Sequence, residues 1–176
     1  IKKVNQNIVL VTMSGRPLDL TWEDKNIPAI VQAWHLGSKS GDAIAQVLYG
    51  DYNPSGKLTM SFPRNVGQVP IYYNYKNTGR PSTSIEQVTN SGYADVENSP
   101  LYSFGFGLSY TSFEYSDFKI DTNSMTKDSK INASIAVKNT GEYAGKEVVQ
   151  LYLRDIVGSI ARPMKELKGF EMIELK

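Results

Sequence analysis

The chain has 176 residues, of which 40% are hydrophobic, 11% aromatic and 21% charged, the make-up of a folded globular protein and not of a disordered or collagen-like one. Nineteen Lys and Arg against 18 Asp and Glu leave a net charge of +1, which excludes the basic footprint of a nucleic-acid binder and a polybasic membrane anchor. There is no cysteine, so disulfides, thiolate zinc and thiol catalysis are out, and the single histidine, His35, argues against a Ser-His-Asp triad or a multi-histidine metal site. In chain order, the longest apolar run, Ile8 to Met13, falls short of the ~18 residues of a membrane helix. Its β-branched residues predict a strand buried on both faces. Ser14-Gly15-Arg16-Pro17 punctuates it, and Ala29 to Trp34 predicts a second strand after Pro28. Ser40 is placed to cap a helix whose face is Ala43, Ile44, Val47 and Leu48, with Gly50 where a C-terminal cap belongs. Strand, loop, strand, loop, helix is the pattern of an α/β fold, and too short to close a sheet.

Asn53 to Arg64 reads NPSGKLTMSFPR, a turn followed by an extended stretch in which Leu58, Met60 and Phe62 alternate until Pro63. Val69 to Tyr73 is another short apolar run. From Asn74 to Pro100 no period survives, and a loop of that length is functional or a linker. Beyond Tyr110 the period changes to two. Phe113, Tyr115 and Phe118 predict one strand, Ile131 to Val137 a second, Val149 to Leu153 a third, and Leu167 to Leu175 one or two more. Four or five short strands with turn signals predict an incomplete β-sandwich. Ile1 opens the chain without Met or a signal pattern, and Phe170 to Lys176 alternates to the last residue; both ends read as cuts in a longer chain.

Two groups of side chains stand out for chemistry. Trp34 and His35 close a predicted strand, where α/β sheets place their ligand crevices. Trp34 is either a stacking platform for a sugar ring or a core tryptophan, and His35 is more in keeping with a hydrogen-bonded structural residue than with a catalyst. Tyr72, Tyr73, Tyr75, Asn77 and Arg80 combine aromatic faces with amide and guanidinium donors, as saccharide recognition does, although a packed linker has the same composition. Asp42 suits the positive end of a helix dipole. Gly37 and Gly41 lack the full dinucleotide or P-loop pattern, so no nucleotide cofactor is expected. Asn132-Ala133-Ser134 matches a glycosylation sequon, for which chance is the default.

Five segments taken together carry more: VLVTMSGRPL (Val9 to Leu18), AWHLGSKSGDAIAQVLYGDYNPSGKLTMSFPR (Ala33 to Arg64), VGQVPIYYNYKNTGRP (Val66 to Pro81), PLYSFGFGLSYTSFEYS (Pro100 to Ser116) and RPMKELKGFEMIEL (Arg162 to Leu175). In this order and spacing the chain resembles the C-terminal half of bacterial glycoside hydrolase family 3 enzymes, the periplasmic β-glucosidases, with gaps only at Ser82 to Asn98 and Asp121 to Lys130.

The resemblance implies an α/β plus all-β chain. Residues 1–73 would be the C-terminal part of the family's α/β sandwich domain, 74–110 a connecting segment, and 111–176 the first part of a fibronectin type III-like, immunoglobulin-like β-sandwich. It also implies a preceding (β/α)₈ barrel that supplies the aspartate nucleophile. The partners would be that barrel and a glucoside or oligosaccharide substrate, with no metal, cofactor, nucleic acid or membrane, in the periplasm or outside the cell. The family's acid/base glutamate follows the strand that ends in Trp. Here Lys39 stands in its place, and an ammonium is a poor proton donor unless buried. The acid/base residue is therefore unassigned, and Trp34, His35, Lys39, Tyr73, Asn77 and Arg80 are the candidate substrate contacts. The rival reading is a carbohydrate-binding or structural β-sandwich module.

Overall fold

A computed structural model describes residues 1–82 and 89–176. Strand β1 (Val9–Thr12) runs parallel to β2 (Ala29–Gln32) with Val9 opposite Ala29 and Thr12 opposite Gln32. The crossover between them contains helix α1 (Thr21–Asn26), where the sequence pattern predicts a loop. Six residues are too few to show a helical period. Only Thr12 of β1 is buried, and Val9 is 48% exposed, so the expected burial on both faces does not hold for a two-stranded sheet.

Helix α2 (Ser40–Tyr49) follows β2. Its N-cap is Lys39 and no side chain caps it, so Ser40 is the first helical residue and not the cap. Gly50 does close it, in the left-handed conformation with φ 82°, its N–H donating to the Val47 carbonyl. Ile44 and Val47 are half-buried while Leu48 is exposed.

The stretch from Leu58 to Phe62 pairs with the linker at its two ends only: it bends at Thr59 and Met60, Met60 is exposed and Ser61 buried, so the expected continuous alternation does not hold. Leu58 N–H donates to the Phe106 carbonyl at 2.8 Å and Gly105 N–H returns to Leu58 at 2.7 Å; Phe62 exchanges bonds with Tyr102 and Leu101, each 2.8 Å. This irregular ladder carries the centre of the core. Phe62 is 1% exposed, edge-on to Trp34 at 5.8 Å and tilted against Tyr102 at 6.1 Å. Gln68, as buried as Phe62, accepts from Arg64 N–H and donates to the Glu97 carbonyl, tying the 3₁₀ turn Val66–Gln68 to the linker. Of the expected long loop, residues 83–88 lie outside the described residues.

Four strands follow in two antiparallel pairs: β3 (Phe113–Ile120) with β4 (Ala133–Asn139), and β5 (Gly145–Leu153) with β6 (Glu166–Leu175). The odd step from Tyr115 to Phe118 has a local cause: the register shifts between Ser116 and Lys119, and Asp117 sits at φ 51°. No helix is long and apolar enough to cross a membrane among the described residues.

Candidate functional site

Parallel strands open their ligand crevice at their C-terminal ends. In this chain that edge collects Thr12, Ser14, Gln32 and His35. Thr12 Oγ1 donates to Gln32 Oε1 at 2.5 Å, Gln32 Nε2 to Ser14 Oγ at 3.2 Å, and Ser14 Oγ to the Arg16 carbonyl at 2.9 Å. The exposed His35 imidazole lies over Gly15; a Cβ there would stand 2.9 Å from His35 Nε2, so the glycine gives the ring its room. Trp34, two residues past β2, takes φ 54°, a left-handed backbone that a bulky residue holds only when packing enforces it. Its ring packs edge-on against Phe62.

Lys39, at the mouth of α2, is 90% exposed and pairs with Asp42 at 3.2 Å. Among the described residues nothing buries the ammonium, and burial is what a lysine needs to serve as a general acid.

The other candidates lie apart from this edge. Tyr73 stacks on Phe104 with ring centres 4.2 Å apart, meets Tyr152 edge-on at 6.2 Å, and accepts from Leu167 N–H at 3.4 Å. Its ring is committed to the junction between the first part of the chain and the β5–β6 sheet. Burial first, and then the neighbouring Tyr73, raises the Tyr152 hydroxyl above its usual range. Asn77 lines a cavity of about 420 Å³ whose remaining wall is the segment from Arg154 to Met164. That segment is held by the Met164 N–H bond to the Tyr75 carbonyl and exposes Ile156, Val157 and Ile160. Arg80 is exposed, its carbonyl accepting from Ser91 N–H. Trp34, His35 and Lys39 thus lie within one short stretch between β2 and α2, and the other candidates at three separate positions.

A second charged centre was not singled out in the sequence. Lys57 Nζ lies 2.9 Å from Glu147 Oε2, with side chains 14% and 10% exposed, and also donates to the Gly107 carbonyl. Tyr115 Oη donates to Glu147 Oε1 at 2.9 Å. Partial burial and then the Glu147 carboxylate hold the Tyr115 phenol well above its ordinary range. The signal was present: Glu147 interrupts the apolar alternation of Val149, Leu151 and Leu153 along β5. Among the described residues no group of three or more His, Asp or Glu is placed to hold a metal.

Residues 1–110 match the glycosyl hydrolase family 3 C-terminal domain. The chain belongs to glycosyl hydrolase family 3. Residues 147–176 match a fibronectin type III-like domain, so this family 3 chain is an α/β part followed by a fibronectin-like β part, as the change of period indicated. It is 51% identical over its whole length to a periplasmic β-glucosidase of Salmonella typhimurium and 43% identical to a β-xylosidase of Formosa agariphila. It superposes on the crystal structure of a Listeria innocua β-glucosidase in complex with gluconolactone with a TM-score of 0.92, at 39% identity over 99% of the chain. The chain spans about a quarter of the length of each: 23%, 24% and 24%.

Proposed function

We propose that this chain is the C-terminal part of a retaining β-glucosidase that releases terminal, non-reducing β-D-glucosyl residues from glucosides or oligosaccharides. The observation that carries this reading is the 51% identity over the full chain to the Salmonella β-glucosidase. On this reading residues 1–73 complete an α/β sandwich, 74–110 connect, and 111–176 begin the fibronectin-like domain. Retention requires two carboxyl groups ~5 Å apart, one attacking the anomeric carbon and one protonating the leaving oxygen. The attacking aspartate comes from a preceding barrel. This chain contributes the wall of the pocket at the C-terminal edge of β1 and β2, where Trp34 and His35 contact the sugar. Lys39 lies beside that wall without transferring the proton, and Tyr73 acts through packing. Asn77 and Arg80 serve more remote contacts. The protein works in the periplasm or outside the cell, a placement supported by the Salmonella relative.

The test is turnover by the complete polypeptide that carries this chain. Aryl β-glucoside should exceed aryl β-xyloside in kcat/KM by about tenfold or more. The xylosidase relative makes the reverse preference the informative alternative, and it would sink the glucosyl assignment. No turnover of either would sink the hydrolase reading.

A further inference from the structure

The buried Lys57–Glu147 pair joins distant parts of the chain, and its value lies in where the ladder beginning at Lys57 leads. Lys57 donates to Gly107, Leu58 to Phe106, Gly105 back to Leu58, Phe104 N–H to Ser61 Oγ, and Phe62 and Leu101 close the far end. Phe62, five positions beyond Lys57, is the side chain that Trp34 packs against. The linker strand of this ladder is itself pinned to β5, because Gln150 Nε2 donates to the Gly105 carbonyl at 3.0 Å and Tyr152 Oη to Gln150 Oε1 at 2.6 Å.

We propose that Glu147 is a positioning residue for the Trp34 turn: by anchoring Lys57 to the fibronectin-like sheet it fixes the register of the Leu58–Phe62 ladder, and so holds Phe62 against Trp34. A ladder only a few residues long specifies its own register weakly, and slipping by one residue would turn Phe62 to the opposite face. A charge pair is a strong registry device, because an unpaired buried charge penalises every slipped arrangement. Trp34 in turn carries His35 and the approach to Lys39. The bearing of Glu147 on catalysis rests on the hydrolase reading, but its effect on Trp34 does not.

The chain has two tryptophans, and Trp22 is 58% exposed. In a Trp22→Phe background of this chain, diluted until sedimentation shows it monomeric, Trp34 therefore reports alone through its emission maximum and its quenching by acrylamide. Glu147→Gln should raise the quenching constant about twofold and shift emission to the red, as local loosening around the ring admits water. Lys57→Met should act in the same direction. The double change Lys57→Met with Glu147→Met, an apolar pair in place of the ionic one, should return most of the way to the parent value. Gly50→Ala, which destabilises without touching the ladder, serves as the control and should leave quenching unchanged. Glu147→Asp, which keeps the charge on a shorter stem, should give an intermediate value and carries the test if Glu147→Gln does not fold. Parental quenching in a folded Glu147→Gln chain, or in Glu147→Asp where that stands in, would overturn the proposal. So would an equal rise in Gly50→Ala.

Discussion

At the scale of single residues, environment separates the candidates more sharply than residue type does. Lys39 stands where the family resemblance leads one to expect a proton donor, yet it is 90% exposed and paired with Asp42. Lys39→Ala in the complete enzyme should therefore change kcat/KM for an aryl β-glucoside by less than about tenfold, under ~1.4 kcal/mol of barrier. A loss of ~10² or more, confined to poor leaving groups, would make the lysine the acid after all. The tyrosines offer a different test. Tyr115 and Tyr102 both keep their protons to higher pH when folded, through partial burial first and then the carboxylates of Glu147 and Asp24. Above about pH 10 the unfolded chain has lost protons that the folded chain retains. Their contribution to stability is thus complete below that pH and is lost as pH rises further. Urea midpoints followed upward from about pH 8 should decline above 10, and Tyr115→Phe should make the decline shallower. An unchanged slope would contradict the assigned partners.

At the scale of elements, the periodic segments were legible and the pairing was not. Strands β3 to β6 followed from alternation, and Gly50 marked the end of α2 correctly because only a left-handed residue closes that helix. Helix α1 is too short to carry a helical period, and propensity alone cannot place a boundary to one residue, so Ser40, a residue type suited to capping, is instead the first helical residue of α2. Of the site, Trp34 and His35 could be found as the end of a strand, whereas the Thr12–Gln32–Ser14 network could not, since it depends on β1 and β2 lying side by side. The Lys57–Glu147 pair is a contact across 90 positions (147 less 57), beyond the reach of any local pattern. Two glycines calibrate the backbone argument. A Cβ at Gly50 meets nothing within 4 Å, so Gly50→Ala should cost only the left-handed backbone, about 1 kcal/mol. Gly105 shares φ 82°, but its Cβ would collide with Gln150 Oε1 and stand 2.7 Å from Tyr152 Oη. Gly105→Ala should cost more, because the Gln150 and Tyr152 side-chain ends must also shift and the Gln150 bond to Gly105 would be strained, and equal losses in thermal or urea unfolding would mean that those side chains swing aside freely.

At the scale of the whole molecule, each of the three sheets among the described residues has two strands, and such pairs are marginal without a further layer to cover them. Cross-strand register places Phe170 and Met172 on the β5–β6 face opposite to that of Leu151 and Leu153, and these side chains are 72%, 54%, 46% and 53% exposed. Ile156 and Val157 are more exposed still. Apolar area of this kind, spread over both faces of one sheet and an adjoining loop, is what a further layer of protein ordinarily covers. The hydrolase reading supplies that layer from the remainder of a polypeptide about four times as long. Two outcomes follow for the isolated chain. It should not cleave an aryl β-glucoside above background, because losing the attacking carboxylate costs several orders of magnitude in rate. Turnover that survives repurification, with a fluoro-sugar label on a carboxylate within residues 1–176, would refute this. It should also bind a hydrophobic dye or self-associate, and lose both properties when produced together with the rest of the polypeptide, since covering the same surface removes the dye's site and the sticky edge at once. A monodisperse monomer that melts cooperatively and leaves the dye dark would show that these sheets are complete in themselves, and would favour an independent β-sandwich module over one part of a larger catalyst.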